Sequence, residues 1–216
     1  MAATLYLVRH GRTVYNTEGR VQGWSDSPLT DEGLAGVRRT ADHLRDRRFV
    51  AAWASPSGRT VATAREILAP HPGIALTCDP GLKELNFGDW ETLPEQGLQE
   101  LEDPRGLFEG VLRGTHPGLP GGESGADYLA RVRAAFARIA RAAGDADGDV
   151  LVVSHGVTLL AYLVGLMPPG GLAVRPLPNA SVSVVTLADD GTPTPVTIGL
   201  DTAGHGTPAD PVPAPR

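Results

Sequence analysis

TLYLVRHG (Thr4 to Gly11) and VLVVSHG (Val150 to Gly156) decide how this chain is read. Each begins as an apolar run rich in Leu and Val, the signature of a strand covered on both faces. Each then stops abruptly at a His-Gly pair. If the two strands are neighbours, His10 and His155 stand at the same carboxyl edge and enter one pocket.

Outward from these runs, strands and helices alternate. The stretch from His10 to Leu29 has no helical or strand periodicity and reads as a long ordered loop, a type of segment that usually carries function. Thr30 is placed as an N-cap, with Asp31 and Glu32 on the positive end of the helix dipole. Leu34, Val37, Ala41 and Leu44 supply an apolar stripe to about Arg45. Phe49 to Ala54 reads as a second buried strand, followed by a helix to Leu68 with Pro56 near its start. Ile74 to Cys78 reads as a short third strand. Residues 92–122 are rich in Gly, Pro and acidic side chains with broken helical patterns, which predicts an insertion over one end of the sheet. Tyr128, Leu129, Val132, Ala135, Phe136 and Ile139 recur at helical spacing, predicting a helix from Ser124 to Ala142. Val157 to Leu166 reads as a helix, and Ser181 to Leu187 with Pro195 to Leu200 as a strand pair. The Pro/Gly/Ala-rich stretch from Ala203 to Arg216 reads as a mobile tail.

This alternation predicts a three-layer α/β/α sandwich around a mainly parallel sheet. The expected organisation is a single domain over residues 1–202, with residues 92–122 as a lid and residues 203–216 as the tail. Ligands of such sheets bind beyond the carboxyl ends of the strands, where Arg9, His10, His155 and the turn from Ser55 to Arg59 fall.

Composition excludes several classes. A length of 216 residues favours one domain over two, and 41% apolar side chains suffice for a core. The 27 glycines and 19 prolines show no collagen-like period. The longest apolar stretch, Thr158 to Met167, falls short of the roughly 20 residues of a membrane span, and no basic segment precedes the apolar run near Met1. No membrane partner and a cytoplasmic location are therefore expected. Cys78 is the single cysteine, so neither an intrachain disulfide nor a zinc knuckle is available. A net charge of −6 argues against a nucleic-acid partner, because affinity for a phosphate backbone needs clustered cations. Lys83 is the only lysine among 19 basic residues, a bias that carries no functional weight.

Two histidines aimed at one spot suggest a metal or a phosphate. A cation would be repelled by Arg9 and Arg59, whereas a phosphate dianion is stabilised by both guanidiniums and both imidazoles. An imidazole can then attack phosphorus opposite the leaving oxygen. No metal or cofactor is expected. His43, His71, His116 and His205 read as surface or structural residues. Trp24 and Trp90 are balanced between lining a pocket and filling the core. Glu123, at a helix start, is explained by the helix dipole.

LVRHGRTVYN (Leu7 to Asn16), VQGWSDSPLTDEG (Val21 to Gly33), SPSGRTVATA (Ser55 to Ala64), LKELNFGDWE (Leu82 to Glu91), GGES (Gly121 to Ser124) and VVSHG (Val152 to Gly156) together resemble the histidine phosphatase superfamily, also called phosphoglycerate-mutase-like. The six blocks run in family order. The resemblance implies the phosphoglycerate-mutase-like fold and a reaction through phosphohistidine. It assigns His10 as nucleophile, Glu84 as proton donor, and Arg9, Arg59 and His155 as the phosphate-binding set. Asn16 matches an additional phosphate contact, Gln22 and Gly23 border the leaving group, and Gly156 sits with the substrate. Glu84 would protonate the ester oxygen and then help water attack the phosphohistidine, so it must be protonated while substrate is bound.

The resemblance implies a small phosphorylated metabolite as partner, without nucleic acid or membrane, and a homodimer as in many relatives. Three functions follow from it: a phosphomonoester hydrolase, a cofactor-dependent phosphoglycerate mutase, or an inactive phosphate-binding module. The glycolytic mutases carry a Glu-Arg-His-Tyr-Gly block after the acid position, where this chain reads ELNFGDWE. Its insertion from Glu91 to Gly122 contains only Arg105 and Arg113 as basic residues. Both departures favour the hydrolase. Many relatives also carry Gly after the Trp-Glu pair, where this chain has Thr92, a difference that bears on the local turn.

Overall fold

The computed structural model describes residues 3–101, 103–146, 148–168 and 175–203. The two deciding runs form strands β1 (Ala3–Arg9) and β4 (Asp149–Ser154). Their side chains alternate between two cores. Leu5, Leu7, Val150 and Val152 enter one, while Tyr6, Val8, Leu151 and Val153 enter the other. A strand buried on both faces has no polar position to spare, which is why both runs lack the polar/apolar alternation of a half-exposed strand.

With β2 (Phe49–Ala54), β3 (Leu76–Cys78), β5 (Val182–Leu187) and β6 (Pro193–Leu200), they form one sheet of order β3-β2-β4-β1-β5-β6. The pairings among β3, β2, β4 and β1 are parallel; β5 and β6 join antiparallel at the β1 side. On one face α2 (Asp31–Leu44) and α3 (Gly58–Leu68) pack through Val37, Leu44, Ala64 and Ile67. On the other, α6 (Gly125–Ala146) and α7 (Gly156–Leu166) pack through Tyr128, Phe136, Leu159 and Leu163. Truncating any of these fully buried leucines removes transfer energy and leaves a cavity, a loss of about 2–5 kcal/mol.

The register of β1 on β4 matters most for function. Arg9 pairs with Ser154, so the next residues, His10 and His155, leave the sheet side by side. The His10 N–H continues the ladder by donating to the Ser154 carbonyl at 3.0 Å.

Several boundaries differ from the sequence reading. The 10–29 segment contains a short helix, α1 (Val14–Glu18), closed by a reciprocal Thr13–Asn16 capping box. Its five residues are too few for periodicity to register. Pro56 lies outside α3, whose N-cap is Ser57. β3 begins at Leu76 rather than Ile74, and α6 extends four residues beyond Ala142. Within 92–122 the chain forms α4 (Glu95–Leu101) and α5 (Pro104–Arg113), the latter capped by Asp103 and closed by Gly114 at φ 73°. Ala203 is buried and its carbonyl accepts from Arg39 at 2.8 Å, so it packs against the fold. The rest of the predicted tail, with His205, lies outside the described residues. Among those described, no helix is long and apolar enough to cross a membrane.

Candidate active site

At the carboxyl edge of β1, β2 and β4, Arg59 lies between the two histidines. Its Nε donates toward His10 Nε2 at 3.3 Å and its Nη2 to His155 Nδ1 at 3.0 Å. The imidazole centroids are 5.3 Å apart. Partners fix both tautomers. His10 Nδ1 is 2.8 Å from the Gly11 carbonyl, which only accepts, so Nδ1 carries the proton and Nε2 keeps its lone pair. A guanidinium only donates, so His155 Nδ1 is unprotonated and its Nε2–H meets Ser55 Oγ at 2.8 Å. Burial, and then the charges of Arg59 and its neighbours, hold both imidazoles well below the usual histidine range. Both are neutral at pH 7, the form a nucleophile requires.

Arg59 is itself buried and held from the far side. Nη1 donates to the Ser25 carbonyl (2.8 Å) and Asp26 Oδ1 (2.9 Å), and Nη2 to the Gly23 carbonyl (2.7 Å). This 22–26 loop is gathered by one carboxylate. Glu91 accepts from the backbone N–H groups of Gly23, Trp24, Ser25 and Phe87 and from the Ser25 hydroxyl. Burial raises the Glu91 carboxyl, but these hydrogen bonds outweigh it and hold the group below the ordinary glutamate value. Gly23 has no alternative: a Cβ there would lie 2.1 Å from the Leu85 carbonyl oxygen.

Glu84 closes the opposite side. Its Oε2 accepts the Val157 N–H (2.9 Å), and its Oε1 accepts the N–H groups of Thr158 and Leu85 (both 3.0 Å). The carboxylate thereby satisfies the amino end of α7, whose N-cap His155 makes no side-chain cap bond. The Thr158 hydroxyl lies 2.9 Å from Oε1, with the Tyr128 hydroxyl behind it. Burial and the nearby Glu84 keep Tyr128 neutral, far above the usual phenol range. Arg131 spans the carbonyls of Gly81, Lys83 and Glu84 and pairs with Glu123 at 2.6 and 2.8 Å. Glu123 is thus engaged by Arg131 and not merely placed on a helix dipole.

A cavity of about 830 Å³ opens beside this cluster, walled by Arg9, Asn16, Gln22, Glu84 and Gly156 among others. His10, Arg59 and His155 lie behind that wall, each at most 4% exposed. Arg9 Nη1 donates to the Leu177 carbonyl, while its buried Nε has no partner among the described residues. Buried donors are almost always paired, so an orphaned guanidinium N–H at a cavity wall fits an anion. The Asn16 side-chain oxygen accepts from the Thr13 N–H and from Asn179 Nδ2, leaving the amide nitrogen as the remaining polar group at the wall. Gln22 is braced by Thr13 and Ser27, and Gly23 lies behind Arg59 rather than on the cavity. Of the tryptophans, Trp24 is 43% exposed, donates to the Glu84 carbonyl and lies under Lys83, whereas Trp90 packs against the core.

A sequence model of the histidine phosphatase superfamily (branch 1) matches residues 5–199. The chain belongs to this superfamily. It is 38% identical over 185 residues to the "Probable phosphoglycerate mutase GpmB" of Yersinia enterocolitica, covering 84% of this chain and 83% of that one. Its fold matches a phosphoglycerate mutase from Bacillus anthracis with a TM-score of 0.76, at 28% identity and 94% coverage of both chains. It also matches a mycobacterial glucosyl-3-phosphoglycerate phosphatase with a TM-score of 0.70 and 26% identity, over 86% of this chain and 91% of that one. The superfamily comprises phosphatases and mutases, so this chain is an enzyme of one of those two kinds.

Sequence reasoning missed Ser55, Asp26, Glu91, Arg131 and Asn179 as supports of the site. Each acts through a partner distant in sequence, and no local pattern marks such a pairing. Thr92, where the chain departs from the family pattern, adopts a left-handed backbone at φ 70°.

Proposed function

We propose that this protein hydrolyses phosphomonoesters through a phosphohistidine on His10, with Glu84 as proton donor. The observation that carries the reading is the neutral His10 whose Nε2 lone pair faces Arg59, with the His155 ring 5.3 Å away. A phosphate dianion beside Arg9, Asn16 and Gly156 takes over the donors of Arg9 and Arg59, releasing Nε2 to face phosphorus. Glu84, on the same cavity wall, is placed to pass a proton to the ester oxygen.

In the first step the His10 Nε2–P bond forms as the P–O ester bond breaks, and the Glu84 proton passes to the departing oxygen. In the second, Glu84, now a carboxylate, accepts a proton from water as that water attacks phosphorus and the N–P bond breaks. Inorganic phosphate leaves and neutral His10 is restored. His155 stays neutral and, through its Ser55 contact, keeps a fixed tautomer for hydrogen bonding to the phosphoryl oxygens.

The names of several relatives favour a mutase instead, which would return the phosphoryl group to a rearranged acid. That chemistry needs cations for a second anionic group. The insertion offers Arg105 and Arg113, and both are paired with Glu109. Hydrolysis therefore fits better. Incubation with 3-phosphoglycerate and its bisphosphate primer tests the choice: release of inorganic phosphate without 2-phosphoglycerate agrees with the hydrolase, and rapid isomerisation contradicts it. Since no step calls for a metal, hydrolysis should persist in excess EDTA; loss restored by added metal would contradict the mechanism.

A further inference from the structure

The cavity proposed to receive the leaving group is lined by two unlike sets of residues. Arg9, Asn16, Glu84 and Gly156 are the set assigned above to the phosphate. Much of the remaining wall is hydrocarbon: Val21, Phe87, Leu107, Phe108, Leu112 and Leu160. Its volume of about 830 Å³ leaves room for a ring-bearing group after a phosphoryl group is seated.

Charges elsewhere on the wall do not suit a second anion. Arg20 donates to Glu18 (2.7 Å) and to the Thr92 carbonyl (2.9 Å), and Arg105 is paired with Glu109 at 3.0 Å. Glu95 and Glu109 add two carboxylates, and Glu95 stands close enough to act on Arg9. An anionic leaving group would face repulsion from these carboxylates and, among the described residues of the wall, find no arginine beyond Arg9 that is not already engaged. An uncharged apolar group would bury its surface against α5 and α7 at no such cost.

We infer that this cavity selects esters carrying a single phosphate on an uncharged, ring-sized apolar leaving group, and rejects leaving groups with a carboxylate or second phosphate. The inference rests on the hydrolase reading above. It also sets the chain apart from relatives named for phosphoglycerate substrates.

Three alkyl phosphates with comparably poor leaving alkoxides test it: benzyl phosphate, glycerol 3-phosphate and 3-phosphoglycerate. The expected order of kcat/KM is benzyl first and 3-phosphoglycerate last, with about a hundredfold between them. Phe108→Ala should lower the benzyl to glycerol-phosphate ratio by about tenfold. The surface change Glu95→Gln with Glu109→Gln, which does not touch the apolar wall, should raise relative turnover of 3-phosphoglycerate. A preference for 3-phosphoglycerate, or a Phe108→Ala protein in which all three rates fall equally, overturns the inference while leaving hydrolysis on His10 intact. Phosphate release from none of the three, or release that survives His10→Ala, overturns the hydrolase reading and the inference with it.

Discussion

Arg131 donates to the Glu84 carbonyl at 3.1 Å while its guanidinium forks onto the Glu123 carboxylate. Glu84, the proposed proton donor, is thus held at its backbone by a helix-borne arginine and at its side chain by the amino end of α7. Replacing Arg131 with Met frees the 81–84 segment and leaves Glu123 unpaired. If Glu84 acts as the acid, the loss should depend on the leaving group. Turnover of an alkyl phosphate should fall about tenfold or more, while p-nitrophenyl phosphate, whose phenolate needs no proton, should fall far less. Glu84→Gln should show the same contrast more strongly, about a hundredfold or more on the alkyl ester. Equal losses on both esters would mean that Arg131 serves stability alone.

Thr92 holds a left-handed backbone, φ 70°, where its branched side chain costs about 1–2 kcal/mol relative to a relaxed position. The conformation persists because its N–H donates to the Val21 carbonyl and its own carbonyl accepts from Arg20. Thr92→Gly relieves the strain but gives the unfolded chain more freedom, so the net gain should be up to about 1 kcal/mol. The denaturant midpoint should rise with an unchanged slope. A lower midpoint would show that the threonine side chain contributes more than its backbone costs.

Glu91→Gln replaces one oxygen of the loop-gathering carboxylate with an NH₂ that faces backbone donors, since Oε1 accepts from Trp24 and Phe87 and Oε2 from Gly23 and Ser25. Unsatisfied donors cost about 1–3 kcal/mol and loosen the carbonyls that hold Arg59. Inhibition by inorganic phosphate should weaken about tenfold, because a 1.4 kcal/mol loss of binding is tenfold in affinity. Undiminished phosphate inhibition would separate the loop from phosphate binding.

The two buried histidines make stability depend on pH. Both have folded values depressed far below 6.5, so the unfolded chain binds protons that the folded one does not. Stability is fully present above about pH 6.5, the ordinary histidine value, and is lost progressively as pH falls below it toward the folded values. A thermal melt series from pH 8 to pH 5 should show a declining Tm, with a shallower slope in His10→Ala. A slope unaltered by the substitution would place the responsible protons elsewhere. For catalysis the same depression means that no acid-side loss of kcat/KM should centre on pH 6.5.

Much of this was legible in the sequence because the central strands are buried on both faces. Residues 4–9 and 150–153 carry uninterrupted apolar runs for that reason, and their abrupt His-Gly ends locate the carboxyl edge of the sheet. Thr30, Asp31 and Glu32 mark the start of α2 through capping and dipole chemistry that is local by nature. Supports such as Glu91 and Arg131 were illegible because their partners lie tens of residues away and an isolated charged residue reads as solvated surface. The 92–122 region escaped for another reason: its helices are short, seven residues in α4 and ten in α5, and a stretch rich in Gly and Pro interrupts the helical spacing around them.

The most direct measurement is a rapid quench of the enzyme during turnover of an aryl phosphate, followed by peptide mapping under alkaline conditions that preserve phosphohistidine. A phosphoryl group on His10, forming and decaying at rates competent for turnover and absent from His10→Ala, is the predicted result. Phosphate release with no adduct, or with the adduct on another residue, would contradict the account.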